Sequence, residues 1–443
     1  MTSENDGTPC APGTGPAWTE HVIWWHVYPL GFVGADTTGA DRTPVRTLRA
    51  LVPWLDHLVE LGANGLALGP IFASSTHGYD TIDWFAIDPR LGDESDLRAL
   101  LDEAHTRGIR VMLDGVFNHV GRDFPAFRTA EEHPDAPEAA LFRRDETGAL
   151  ATFEGHDALV ALDHANPAVA DLVARVLQHW LERGADAWRL DAAYTVPSAF
   201  WAAVLPRVRA AHPEVYVLGE VLHGDYAAAV AEGTLDSVTQ YELWQGIWHG
   251  IQDTNLNELA WALTRHNGFL DAFVPYTFLG NHDVTRIAAQ IDDERHHAHA
   301  LVLLLTLGGT PALYYGDEYG FRAVKEERVG GDDAIRPAFP ADPADLEKTD
   351  PDVLALHQRL LGLRRRHPWL HRARSSARQT TDTTMVLELS DGEHGLLVAL
   401  NIGDGAVDVA DAGEILEGMF AGFDGDVLRV GPHGWVIAER AGS

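Results

Sequence analysis

Lysine is nearly missing from this chain. Of 33 basic residues only Lys325 and Lys348 are lysines, so 33 − 2 = 31 are arginines. Basic residues are outnumbered by 66 acidic ones, and the formal net charge is −33. A surface of that sign repels phosphate backbones and anionic headgroups, which argues against nucleic acid or a membrane as partner. A neutral ligand such as a sugar is not opposed, and the acidity itself is read as solubility or adaptation to salt. Cysteine is represented once, by Cys10, so no internal disulfide can form. Long apolar runs are also lacking: the longest, from Ala300 to Leu307, is too short to cross a bilayer. Met1 to Pro16 is polar and has no apolar stretch of the secretory type. A soluble, cytoplasmic protein is the expectation.

The 443 residues do carry a 46% hydrophobic fraction, enough for a large core. Residues 1–17, rich in Thr, Gly and Pro, read as a disordered leader. From Val22 onward short apolar runs alternate with amphipathic stretches, the signal of repeated βα units. Eight candidate strands follow: Ile23–Tyr28, Gly65–Leu68, Arg110–Gly115, Ala187–Asp191, Val215–Gly219, Ser237–Tyr241, Val274–Leu279 and Ala312–Tyr315. Between most of them lie helical patterns, such as 96–106 with Leu97, Leu100, Leu101 and Ala104 on one face. The fold class predicted is α/β, a (β/α)8 TIM barrel over 18–117 and 164–371. Residues 118–163 contain no clear long helix and read as a small inserted subdomain. Beyond 372 the pattern changes to short alternating runs separated by Asp/Gly turns, predicting a C-terminal antiparallel β-sandwich domain over 372–443.

In such a barrel the loops after the strands line the active face, so the polar residues that cap strand ends are informative. The third candidate strand leads to Asp114, Asn118 and His119, and the fourth carries Arg189 and Asp191. The fifth leads to Glu220, and the seventh to Asn281, His282 and Asp283. A single Asp after a strand is ordinarily a turn or helix cap, but four strand ends converging on carboxylates, histidines and an arginine suit glycosidic cleavage. A retaining enzyme needs one carboxylate as nucleophile and another to protonate the leaving oxygen. Arg189 beside Asp191 is expected to keep it ionised, and Glu220, flanked by carboxylates, to hold a proton. Asp283 is expected to stabilise charge on the sugar ring, with His119 and His282 bonding to its hydroxyls.

The segments DGVFNHV, WRLDAAYTV, GEVLH and FLGNHD resemble the four hallmark regions of glycoside hydrolase family 13, the α-amylase family, in its order and approximate spacing. HGYDTIDWFAIDPRLG, LDHANPAV and GGTPALYYGDEYG support the match. GGDDAIRPAF, which contains Arg336, resembles the neopullulanase and cyclomaltodextrinase branch. The resemblance implies nucleophile Asp191, acid/base Glu220 and transition-state stabiliser Asp283. It further implies substrate contacts from Tyr79, Asp80, His119, Arg189, His282 and Arg336, with Tyr79 stacking on a sugar ring. Trp84 and Tyr315 read as packing residues. The expected activity is hydrolysis of α-1,4 bonds in short or cyclic malto-oligosaccharides, with α-1,6 bonds left open as further targets. A transglycosylase or isomerase sharing the intermediate is the alternative, and a non-catalytic sugar-binding relative the minor one.

The chain also departs from the family's patterns. Tyr194 and Thr195 stand where α-amylases carry Lys-His, Leu222 stands where the branch usually has Trp, and the branch's N-terminal domain is expected to be missing before the barrel. Long starch is therefore not the expected substrate, and the inserted subdomain and the loop from Tyr194 to Trp201 are expected to shape the cleft. No cofactor is expected to be required. The family's calcium, if kept, would involve Asn118. His296, His297 and His299 in ERHHAHA read as a solvated helix face rather than a metal site. A homodimer is compatible with the branch.

Overall fold

The computed structural model describes residues 13–328, 330–347 and 350–441. Eight parallel strands form one sheet: β1 (Trp24–Val27), β2 (Gly65–Leu68), β3 (Arg110–Val116), β4 (Ala187–Asp191), β5 (Tyr216–Gly219), β6 (Ser237–Val238), β7 (Tyr276–Phe278) and β8 (Thr310–Tyr314). Their order is β6-β5-β4-β3-β2-β1-β8-β7, and a parallel bridge between Thr239 and Tyr276 joins the two edges into a barrel. The predicted (β/α)8 architecture is therefore the one observed.

Alternation along each strand decides what the barrel does with its residues. Trp24, Ala67, Met112, Ala187, Tyr216, Leu218, Phe278 and Ala312 form an apolar plug inside, while Trp25, Leu66, Val111, Leu113, Trp188 and Val217 pack outward under the helices. Continuing the inward series by two residues from Met112 reaches Asp114, from Ala187 reaches Arg189 and then Asp191, and from Leu218 reaches Glu220. The apolar plug thus gives way to charge at the carboxyl ends of β3, β4 and β5. Register brings the groups level: Asp114 is paired with Arg189, and Arg189 with Leu218. The amphipathic helix Glu94–Thr106 buries Leu97, Leu100, Leu101 and Ala104 as its spacing predicts, and Asp93 caps it through a reciprocal capping box.

Between β3 and β4 the chain leaves the barrel. His119–Gly121, His156–Ala161 and Thr152–Phe153 make a three-stranded antiparallel sheet, accompanied by the helix Pro125–Glu132. After the barrel, β9 (Arg374–Thr380), β10 (Thr384–Ser390), β11 (Gly395–Asn401), β12 (Val407–Val409), β13 (Ala412–Asp424) and β14 (Val427–Arg440) form an antiparallel sheet in the order β9-β10-β11-β14-β12, with β13 also on β14. Met385, Leu387, Leu396, Val398 and Leu400 join the barrel's outer core. Val386, Leu397, Ala399, Val407, Leu428 and Val436 form a second cluster on the opposite face. A sheet that curls over its own apolar face accounts for the burial of all seven residues of β11.

Two expectations change. The expected leader lies outside the described residues up to residue 12, but from Gly13 the chain is bound to the barrel. Gly13 donates to the Leu235 carbonyl at 3.0 Å, and Trp18 sits edge-on to Trp24 and Tyr216. The histidines of ERHHAHA are not a solvated face. His296 and His299 are buried, because the helix His297–Thr306 lies under the C-terminal sheet and His299 Nε2 donates to the carbonyls of Asn401 and Gly434. No helix among the described residues is long and apolar enough to cross a membrane.

Candidate active site

One guanidinium organises the charged end of the barrel. Arg189 Nη1 donates to Asp114 Oδ2 at 2.5 Å and to Asp191 Oδ1 at 3.3 Å, while Nη2 donates to Glu220 Oε1 at 2.5 Å. All four side chains are buried. Three carboxylates against one cation is an unbalanced set: burial raises the Asp114 carboxyl against the pull of Arg189, and the larger effect falls on Asp191. Burial, and next the charge of Glu220, push its carboxyl well above the ordinary aspartate range, against the pull of Arg189. Arg189 was expected to serve Asp191 in particular; its shorter bonds go to Asp114 and Glu220.

The backbone also serves Glu220. Ala192, directly after Asp191, adopts φ 46°, a left-handed conformation rarely taken by a residue with a Cβ. Its N–H donates to Glu220 Oε2 at 2.9 Å. Tyr241 OH approaches Glu220 Oε1 at 3.4 Å and accepts from Asn281 Nδ2 at 2.9 Å. Asn281 Oδ1 in turn accepts from the Asp283 N–H at 2.8 Å, which ties the loop after β7 to the loop after β6.

Asp283 is half-buried, with its carboxylate between two donors. His282 Nε2 lies 3.0 Å from Oδ2, and Arg336 Nη2 donates to Oδ1 at 2.8 Å. Burial alone would raise this carboxyl. His282, then Arg336 and Lys325, outweigh it and hold Asp283 well below the usual carboxylate range. Arg336 Nε also donates to the His282 carbonyl at 2.8 Å, and the guanidinium lies over the Tyr28 ring. Arg336, expected as a substrate contact, is thus bound to Asp283 and its neighbour. Replacing it with methionine is expected to lower kcat about 10- to 100-fold with little change in KM, because a misplaced Asp283 loses alignment rather than binding; steady-state kinetics on any turned-over sugar checks this.

The remaining expected residues divide. Tyr79 OH donates to Asp114 Oδ2 at 3.2 Å and also meets His282 Nε2, and the Tyr79 and His282 rings stack 5.2 Å apart. Tyr79 therefore stands on the cluster's edge. His119 Nε2 donates to the Tyr79 carbonyl at 3.0 Å, and its ring stacks on Phe153 at 4.6 Å; burial pushes it down to about 4, so it is neutral at physiological pH. Asp80 is turned into its own loop, where its two oxygens accept from the Thr76 N–H and hydroxyl at 3.0 and 2.6 Å. Asn118 Nδ2 meets His119 Nδ1 at 3.2 Å, and its buried Oδ1 has no partner. An orphaned amide oxygen suits a hard cation, but calcium takes six to eight oxygens. Among the described residues no group of three carboxylate, thiolate or imidazole side chains converges there. Trp84 and Tyr315 are buried, with their polar atoms on the carbonyls of Val116 and Pro337.

Tyr241 and Tyr28 escaped sequence reasoning. Neither lies in a charged motif, and a tyrosine near a strand end is indistinguishable from packing. Counting by two along the inward face from Trp24 would have reached Tyr28.

The alpha amylase catalytic domain model matches residues 26–380. A cyclomaltodextrinase from a Bacillus species is 31% identical over 385 residues, 80% of this chain and 67% of that protein. The maltogenic alpha-amylase of Bacillus acidopullulyticus is 30% identical over 388 residues, 80% of this chain and 64% of that protein. Among solved structures, the ligand-free cyclic α-maltosyl-(1→6)-maltose hydrolase from Arthrobacter globiformis is similar, with a TM-score of 0.81 and 28% identity. That match covers 97% of this chain and 100% of the other.

Proposed function

The chain belongs to the α-amylase family of glycoside hydrolases, in its neopullulanase–cyclomaltodextrinase branch, and on that premise we propose that it hydrolyses short or cyclic malto-oligosaccharides with retention, through a covalent glycosyl-enzyme on Asp191. The observation that carries the reading is the Arg189 bridge, which gathers Asp191 and Glu220 at the ends of adjacent strands. In the first half, Asp191 attacks the anomeric carbon as the glycosidic C–O bond breaks, and Glu220 gives its proton to the departing oxygen. In the second half, Glu220 takes a proton from water, the water oxygen attacks the same carbon, and the Asp191 ester breaks. Two inversions return the original anomer.

The substrate completes the proton arrangement. Positive charge growing at the anomeric carbon favours the anion of Asp191, so the proton the two carboxyls share passes to Glu220, from which the glycosidic oxygen takes it. Asp283, kept anionic by His282 and Arg336, adds a second negative charge for the oxocarbenium-like transition state. Because Asp191 must be ionised to attack, kcat/KM is expected to fall as pH drops through its raised pKa, above the ordinary aspartate value. Glu220→Gln removes the repelling charge, so with an aryl glycoside, which leaves without protonation, the acid limb is expected to move to lower pH.

Chain length is set where the inserted subdomain meets the loop after β4. Tyr194 is anchored by its N–H to the Glu220 carbonyl at 3.3 Å, and its hydroxyl donates to Glu154 Oε1 at 2.7 Å. Glu154 holds φ 48° at the tip of the 152–161 hairpin. With Phe153 on His119 and Glu154 on Tyr194, the hairpin is pinned beside the cluster at two points. That bridge supports a short-substrate reading. Tyr194→Phe breaks it and is expected to raise kcat/KM for maltoheptaose relative to maltotriose several-fold.

The direct test is a product time course from maltotriose, maltotetraose, panose and a cyclodextrin, with Asp191→Asn alongside. Shorter sugars from the wild type and none from the variant are the expected result. Accumulation of longer or rearranged sugars would make the enzyme a transferase.

A further inference from the structure

The seam between the barrel and the C-terminal sheet carries a second group of polar side chains that the glycosidic site does not use. Asp293 and His296 lie at the turn before the helix His297–Thr306, and His433 lies in β14. The ligand-type atoms of these three lie within 4.8 Å of one another, the one such group of histidines and carboxylates among the described residues. His296 Nε2 and His433 Nδ1 face each other at 3.0 Å. We propose that Asp293, His296 and His433 form a binding site for a zinc-type divalent ion that fastens the C-terminal sheet to the barrel.

Coordination chemistry supports this placement. Two nitrogens on a tetrahedral zinc ion at 2.0–2.1 Å stand about 3.3 Å apart, so an ion needs the two rings to part by only about 0.3 Å. The His433 tautomer is set from outside: His433 Nε2 meets Asp404 Oδ1 at 3.2 Å, so its proton sits on Nε2 and the Nδ1 lone pair faces His296, whose Nε2 proton shifts to Nδ1 when an ion takes its place. A carboxylate behind a ligating imidazole is the usual outer partner in such sites. His296 is itself buried at this seam.

The third ligand is oriented as well. Asp293 is paired with Arg295 at 2.6 and 2.9 Å, and a carboxylate retains lone pairs for a cation beyond that pair. A water completes four-coordination. The backbone bears a cost here, since His433 is held at φ 53° within a strand. His299 braces the same corner by bonding the Gly434 carbonyl at 3.0 Å.

The test uses the full chain, stripped with chelator, dialysed and titrated with Zn2+ by calorimetry, with elemental analysis for stoichiometry. One equivalent is expected to bind tightly and raise the unfolding midpoint, and Co2+ at the same stoichiometry is expected to give the visible spectrum of a tetrahedral site. Asp404→Asn is expected to weaken binding about 10- to 100-fold. His433→Asn is expected to remove the site while keeping the fold and the glycosidase activity, because asparagine tolerates the left-handed conformation. Absence of stoichiometric Zn2+ binding by the wild type, or undiminished binding by His433→Asn, would leave a histidine–histidine hydrogen bond only and overturn the proposal.

Discussion

Replacing Asp191 with asparagine is expected to lower kcat by on the order of 10⁴-fold or more and, at neutral pH, to make the protein more stable. The loss follows from removing the only atom proposed to bond to the anomeric carbon. The gain follows from linkage. A carboxyl whose folded-state pKa is raised costs stability once pH exceeds its unfolded value, and the cost is complete above the folded pKa. Asp191 is such a group, pushed up by burial and by Glu220. A neutral amide of the same shape lifts that cost and gives up one long bond, at 3.3 Å, from Arg189. Thermal unfolding at pH 7 and at pH 3.5 checks the sign: the variant's advantage is expected at the higher pH and is expected to shrink at the lower. An inactive variant no more stable than the wild type at pH 7 would remove the electrostatic part of this argument.

Arg189→Met is expected to be worse in both respects. The methionine fills similar space but leaves Asp114, Asp191 and Glu220 buried together with no guanidinium between them. Breaking a buried ion pair by removing one partner costs about 3–5 kcal/mol, and here one cation serves three anions. The carboxyls will take up protons in response, so the variant is expected to regain more stability than the wild type as pH falls. Activity is expected to vanish, because protonated Asp191 is no nucleophile. Denaturant unfolding between pH 4 and pH 8 measures the difference. A loss of stability independent of pH would point to packing rather than charge.

The sequence and the structure agree most closely where a period-2 pattern ends in a charge. Ala187, Arg189 and Asp191 face inward because Trp188 and Leu190 must pack outward, so placing the strand also places the cluster. Asp80 shows the limit. Its motif sits beside Tyr79, yet Thr76 is close enough in the same loop to take both carboxylate oxygens, and local hydrogen bonding of that kind leaves no periodic trace. Arg336 shows another limit, since its partner Asp283 lies 53 positions away. His296 and His299 show a third. Whether a helix face is solvated depends on the sheet that covers it, and that sheet comes from residues more than a hundred positions later in the chain.

The most direct test of the covalent account is to trap the ester. Glu220→Gln supplies no base for the second half-reaction, while α-maltosyl fluoride needs no acid for the first. Acid quenching followed by peptide mass analysis is predicted to find one maltosyl unit attached to the peptide that contains Asp191, with none on Asp191→Asn. Fluoride release with no adduct, together with a product of inverted anomeric configuration, would contradict the nucleophilic role of Asp191.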